Sequence, residues 1–295
     1  MNYLSNILFA LLLIGGIGFF ASNVRKLIRN IRLGKDIDRS DQKKERWKNM
    51  IKIALGQSKM VKRPIAGILH VVVYVGFILI NIELLEIVVD GIAGTHRIFA
   101  PILGGFYNFL IASFEVCAAL VLIAVIIFWC RRNVIRIQRF WKDEMNGWPK
   151  LDADLILYFE VVLMGLFLTM NGADLAIQTN YADTPHYVQA GFFPVSQFIA
   201  PLFDGIELSS LILIERTAWW MHIIGIFCFL NYLYYSKHLH ILLAFPNTFF
   251  ADLRPKGQFN NNANVTAEVQ LMMDPSADPY AATDDSAEVE KFGAS

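Results

Sequence analysis

Three of the chain's six histidines lie between Trp219 and Ile241, in Trp219-Trp220-Met221-His222 and in Ser236-Lys237-His238-Leu239-His240-Ile241. Read as one α-helix, the step from His222 to His240 makes about five turns, so both imidazoles share a face roughly 27 Å apart along the axis. His238 falls about 160° round the helix from His222, nearly opposite. Two neutral imidazoles on one face, near opposite ends of a membrane-crossing helix, could each hold the iron of a haem, one toward each leaflet. Ionisable side chains are rare inside spans, which weighs against reading these as chance interfacial histidines.

Composition supports a bilayer setting. Of 295 residues, 55% are hydrophobic, 13% aromatic and only 18% charged, and long uncharged runs punctuate the chain, which is too apolar for an ordinary soluble domain. Net charge is zero but segregated, and the expected surroundings are lipid and protein, with no nucleic acid. Cys117, Cys130 and Cys228 fall in or at the ends of apolar runs and form no disulfide framework, zinc site or cluster-binding Cys-x-x-Cys, so they read as small buried thiols and no iron–sulfur cluster is expected within these residues.

Taken in order, the apolar runs predict five spans, about 4–24, 65–89, 106–129, 155–173 and 212–245. The first, with Gly15, Gly16 and Gly18, lacks a basic leader and a cleavage site, and reads as a retained span whose small residues permit close packing. From Arg25 to Arg63 the chain carries 14 of its 26 Lys and Arg, with amphipathic pieces around Trp47, Met50 and Ile53. Arg131 to Lys150 adds six more basic residues and predicts an inner interfacial helix anchored by Phe140, Trp141 and Trp148. Asp174 to Ser210 has no Lys or Arg, and its apolar Phe192–Phe203 portion is expected to lie in the interface or dip back. The charge asymmetry puts the N-terminus outside and the C-terminus inside. Span five is expected to continue past His240 until Pro246 and Asn247 stop it. The fold class is therefore an all-α integral membrane protein, a five-transmembrane-helix bundle over residues 1–250, multi-pass in a bacterial inner (cytoplasmic) membrane. Residues 251–295 read as a disordered cytoplasmic linker with no core of its own.

With this topology His70, entering span two, and His240, leaving span five, share a depth at the inner leaflet. Two imidazoles from facing helices at one level are what a six-coordinate b-type haem requires. His222 could bind a second haem near the outer end. Its partner is open, since span two has no second histidine at that depth; His96 is the better placed of the outer-loop histidines, and His186 reads as a loop residue. Asn81, Glu83 and Glu86 are deep in span two, with Glu115 and Glu160 in spans three and four. Each is expected to face the bundle, the first three as candidates for a quinone or proton site, against an equal expectation of structural hydrogen bonds.

These features resemble a known family. Five spans with His222 and, 18 residues later, His240 resemble the gamma subunit of respiratory nitrate reductase, and still more the membrane cytochromes of heterodisulfide-reductase-type and sulfite-reduction-associated complexes. The resemblance covers roughly residues 60–247. It implies b haems that connect a quinone, such as menaquinone, to an iron–sulfur partner on the inner face, with His70 and His240 as the inner pair and His222 as one outer ligand. The second histidine of span two in the nitrate-reductase pattern is missing. Several relatives continue after such a linker into a domain with paired four-cysteine motifs, so the clusters sit on another subunit or this sequence is a fragment; the reading favours a fragment. The expected function is a haem b electron-transfer subunit between the quinone pool and a cytoplasmic iron–sulfur oxidoreductase. A non-redox transporter or anchor subunit without haem is the alternative.

Overall fold

The computed structural model describes residues 3–255, 257–258, 262–274 and 276. Two compact units divide the chain after Ala251. Among the described residues regular structure is helical throughout: α1 (Tyr3–Ile31), α2 (Lys43–Met50), α3 (Pro64–Ala93), α4 (Ala100–Leu103), α5 (Gly105–Trp129), α6 (Trp148–Asn180), α7 (Leu208–Tyr232), α8 (His240–Phe249) and, in the second unit, α9 (Ala263–Met273). Five of the helices are long and apolar enough to cross a membrane. They correspond to the five expected spans; the first four reach as far as hydropathy alone indicates or further, while the fifth ends about ten residues early.

The long helices close a ring in which α1 packs on α3 and α7, α3 on α5, α5 on α6, and α6 on α7. Close approaches depend on missing side chains. A Cβ at Gly16 would lie 2.9 Å from the Phe227 ring, and one at Gly76 would run into Val121. Gly15 and Gly18 face open space, so only one of the three glycines expected to aid packing of α1 does so. Within the ring the core gathers Phe9, Ile111, Phe114, Phe167 and Ile223, while residues such as Ile14, Ile68, Leu120 and Leu213 point outward, as a lipid-facing surface permits.

Span five departs from expectation. The α-helix ends at Tyr232, a 3₁₀ turn follows to Tyr235, Ser236 is extended (φ −105°, ψ 151°), and a second 3₁₀ turn precedes α8. His222 and His240 are therefore not on one continuous helix, and the shared-face count does not hold. The break has a physical cause. It frees the Lys237 N–H from the helical ladder, and the buried Asp152 of α6 accepts it at 3.1 Å while accepting the Tyr232 hydroxyl at 2.5 Å; Ser236 Oγ takes the His238 N–H at 3.0 Å. Backbone groups released inside a bundle must find such partners.

Pro246 also fails to stop the chain, because α8 runs through it to Phe249. The end of α8 is held from α2: Arg46 donates to the Phe249 and Ala251 carbonyls at 3.2 and 2.9 Å, Asn49 donates to Thr248 at 2.5 Å, and Trp47 packs edge-on against Phe249. These donors satisfy carbonyls that a helix C-terminus leaves open.

The basic stretch after α5 is not the continuous interfacial helix expected. A π turn (Cys130–Val134) and two 3₁₀ turns lead to α6, with Arg136 at φ 53° and Gly147 at φ 75° breaking the run. Phe140 and Trp141 instead carry cations: Arg132 and Arg139 lie over Phe140, Arg136 and Lys150 over Trp141. The Phe192–Phe203 segment does fold back, as two 3₁₀ turns packed on α6. Cys228 is exposed while Cys117 and Cys130 are half-buried, so the expectation of three buried thiols holds only in part. Part of the stretch expected to be structureless forms α9, whose side chains from Asn264 to Met273 are all exposed; residues 277–295 lie outside the described residues.

Candidate functional site

At the basic end of the ring, which carries the Arg32–Arg63 and Arg136–Lys150 loops, three histidines gather. His240 is close enough to His70 to influence its charge, and its ring centroid lies 5.4 Å from that of His238. His238 is thus not turned away as the single-helix count implied; its ring packs on Phe229, and burial holds its pKa down to about 4. His240 Nδ1 lies 3.1 Å from the Lys237 carbonyl. A carbonyl only accepts, so a neutral His240 carries its proton on Nδ1 and presents the Nε2 lone pair. His70 Nδ1 is buried with no hydrogen-bond partner.

Higher in the ring a cavity of about 80 Å³ lies among α3, α6 and α7. Its lining is mostly apolar, with Asn81, Glu83, Glu160 and His222 as the polar members. His222 is 3% exposed and donates from Nδ1 to the Leu163 carbonyl at 3.0 Å, leaving Nε2 as its lone-pair nitrogen. Glu83 is 4% exposed and its Oε2 has no partner. Asn81 is exposed and donates to Phe77 of its own helix at 2.6 Å.

The far end carries a charge network that sequence reasoning missed. Arg97, in the turn before α4, donates from Nε to Asp174 at 2.7 Å, from Nη1 to the Tyr107 hydroxyl at 3.1 Å and from Nη2 to Asn171 Oδ1 at 3.1 Å, and its guanidinium lies over Phe193. Burial works against its charge, yet Asp174, Tyr107 and Glu83 hold its pKa well above the ordinary value. Glu86 accepts from Tyr107 at 2.7 Å and from the Phe99 N–H at 2.9 Å. Glu115 accepts from Asn171 at 3.2 Å and from Val195 and Ser196 at 2.9 and 3.1 Å, which pins the folded-back segment. Glu215 takes bonds from Arg216 and from Tyr187. A lone arginine in an outer loop, and an Asn and Asp one turn apart inside an apolar helix, were the available signals.

His96 belongs to this network. It accepts the Val188 N–H at Nδ1 (3.4 Å) and turns Nε2 toward Asp174 Oδ1 at 3.6 Å. Burial lowers its pKa to about 4 despite Asp174, so at pH 7 this contact is a neutral imidazole beside a carboxylate and not an ion pair. It lines the far-end cavity, whereas His222 lines the central one. Glu83 lines both, and Glu83, Glu86 and Asp90 follow one another at helical spacing along one face of α3.

No family profile matches the sequence, and no solved structure matches it. Two curated relatives do, both oxidoreductases by name. The chain is 27% identical to the probable iron-sulfur-binding oxidoreductase FadF of Bacillus subtilis (strain 168) over 256 residues, covering 85% of this chain and 33% of that protein. It is 24% identical to the EtfAB:quinone oxidoreductase of Syntrophomonas wolfei subsp. wolfei over 225 residues, covering 75% of this chain and 30% of that one. This chain therefore spans about a third of the length of the curated relatives it matches, and what it shares with them is consistent with an oxidoreductase-associated subunit.

Proposed function

We propose that this chain is a membrane electron-transfer subunit holding a b-type haem between His70 and His240, and that it links a membrane quinone to an iron–sulfur oxidoreductase. The observation that carries the reading is the gathering of imidazoles at the basic end, where His70 has a buried nitrogen without a partner and His240 is anchored through Nδ1 on a backbone carbonyl. Metal-ligating histidines characteristically donate their other ring N–H to a carbonyl or carboxylate in this way, so the residues present fit the group. A haem held by two imidazoles takes up and gives back one electron with little change in structure. The chain's own contribution is to set His240 through the Asp152-pinned break and to hold its ring through Nδ1, so that Nε2 is the nitrogen it would offer the iron.

The relatives' names, one for iron–sulfur binding and one for quinone, support the two redox partners. The 14 basic residues of Arg25–Arg63 orient the basic end to the inside of a bacterial cytoplasmic membrane, with the iron–sulfur partner docking there.

The deciding measurement is the absorption spectrum of the purified, dithionite-reduced protein with a pyridine haemochrome assay. Haem is expected at one per chain, lost in His70→Ala and in His240→Ala and retained in His238→Ala. A protein without haem, or loss on His238→Ala alone, would reject this assignment.

A further inference from the structure

We propose that three adjoining cavities form a proton path from the far face of the bundle to Glu83 and Glu160 in its interior. The far-end cavity, about 30 Å³, is lined along α3 by Glu83, Glu86 and Asp90. Below, it shares Glu83 and Ile87 with the central cavity, where Glu160 of α6 is the next carboxyl. Above, it shares Asp90, Thr95, Arg216 and Trp219 with a wider pocket of about 300 Å³, whose lining includes the exposed Tyr3, Ser5 and His186. Glu160 lies about 21 Å below Asp174 along the axis of α6, so the line of cavities reaches well into the span. The path goes beyond the electron-transfer reading, within which it supplies a proton to balance the charge of an electron arriving in the apolar bundle.

Size decides what can pass. A water molecule needs roughly 10–15 Å³ of such space, so the far-end cavity has room for about two and is too small for an organic ligand. Charge decides the direction of preference. Glu83, Glu86, Asp90, Asp174 and Glu215 line that cavity against only two guanidinium groups, those of Arg97 and Arg216, and the acidic surplus favours a proton and offsets the barrier that an arginine sets to one. Most of these carboxyl groups are already held: Asp174 by Arg97, Glu86 by Tyr107, and Asp90 by Thr95 and the Arg97 N–H. Glu83 is different. It is 4% exposed, its Oε2 has no partner, and it lines both cavities; a buried carboxyl oxygen left without a bond costs free energy, which a proton or a water at the joint relieves. Toward the basic end the walls of the central cavity are Val73, Phe77, Val121 and Phe229, none of which relays a proton, so exchange runs to the far face.

The test is rapid-mixing infrared spectroscopy of the full chain, purified in detergent and diluted into D₂O. A protonated carboxyl has a carbonyl stretch that shifts when deuterium replaces its proton, and the band lost in the nearly isosteric Glu83→Gln identifies Glu83. Thr95 is exposed and stands where the far-end cavity meets the outer pocket. Thr95→Trp, filling that joint, is expected to slow the shift of the Glu83 band at least tenfold. Thr95→Val, which loses the hydroxyl bond to Asp90 but keeps the space, is expected to exchange at the wild-type rate. No band lost in Glu83→Gln at neutral or mildly acidic pH overturns the proposal, because Glu83 then holds no proton to pass on. Exchange at the wild-type rate in Thr95→Trp overturns the route, and equal slowing in Thr95→Val does so too, since fixation of the turn and not passage would then govern exchange. Haem absent from the wild-type protein would defeat the electron-transfer reading while leaving these rates readable.

Discussion

The two ends of the helix ring handle charge differently. At the basic end, cations such as Arg136, Arg139 and Lys142 are exposed, several lie over aromatic rings, as Lys150 does on Trp141, and the buried Arg46 and Arg132 pair with the peripheral carboxylates of Asp41 and Asp154. At the far end Arg97 is 6% exposed and Arg216 is held by Glu215; the carboxylates around them, Glu86, Glu115, Asp174 and Glu215, are buried too. A bundle keeps charges out of water only where each has several partners, so the same residue types carry different energetic weight at the two ends.

The largest expected effect follows from this contrast. Arg97→Ala strands Asp174, Tyr107 and Asn171 at once, and breaking a buried pair by removing one partner costs about 3–5 kcal/mol. Arg136→Ala at the other end is expected to stay within about 0.5 kcal/mol. Thermal unfolding of both variants in one detergent measures the difference; equal melting temperatures would erase the distinction between the ends.

The next effect is a pH dependence. His96 has its pKa depressed by burial to about 4, against an unfolded value near 6.5. Below 6.5 the unfolded chain therefore binds a proton that the folded one refuses, so stability falls as pH drops from 6.5 toward 4, by on the order of 3 kcal/mol across that window. Between pH 8 and 7 this histidine contributes no slope. His96→Asn should remove its share of the loss between pH 6.5 and 5, with the buried His238, also held down to about 4, supplying a remaining slope of the same sign; a variant with the wild-type slope would place the titration elsewhere.

Much of the fold was legible because its signals are local. Apolar runs of sufficient length gave the five long helices, and the apolar composition of Phe192–Phe203 gave a folded-back segment. The site was legible in part. His70 and His240 lie near enough to influence each other electrostatically, as their shared depth implied, while the shared face of His222 and His240, which needed one uninterrupted helix, does not hold. Nothing in Leu233–Ser236 breaks a helix strongly by propensity; what breaks it is Asp152, 85 residues away on α6, offering a better partner to the Lys237 N–H. The Arg97 network was hidden for the same reason. Its members, from Glu86 to Asp174, come from different elements, and no window of sequence contains them.

Asp152 is accordingly the third place to press. Asp152→Ala leaves the Lys237 N–H and the Tyr232 hydroxyl without their acceptor, at about 1–3 kcal/mol for the buried groups left unpaired. Because the break positions His240, the variant should also change the haem spectrum, whereas Asn133→Ala, which removes a contact to Asp154 on the same helix, should leave it unchanged. An unaltered spectrum in Asp152→Ala would mean that the break and the histidines are independent.

The smallest effect on stability falls on the exposed cations of the basic end, and there the expected consequence is kinetic. The proposed inner haem lies at that end, and the loops around it concentrate basic side chains. An acidic iron–sulfur partner is drawn to such a surface, and exposed charges are screened beyond about 8 Å at physiological salt. Replacing Arg136, Arg139 and Lys142 together with Gln should leave the melting temperature within the scatter of surface substitutions, yet slow the second-order reoxidation of the quinol-reduced protein by a soluble acidic acceptor and flatten its dependence on ionic strength. If the physiological partner is instead tethered in the same chain, its effective concentration replaces diffusional encounter and salt matters little for it, so the added acceptor is the proper probe of the surface. Sidedness is read in the same assay. In inverted vesicles, where the inner face is outward, an acceptor too large to cross should reoxidise the protein, and in right-side-out vesicles it should not. Reoxidation only in right-side-out vesicles would put the electron exit at the far end, among the buried carboxylates, and would reverse the roles assigned to the two ends.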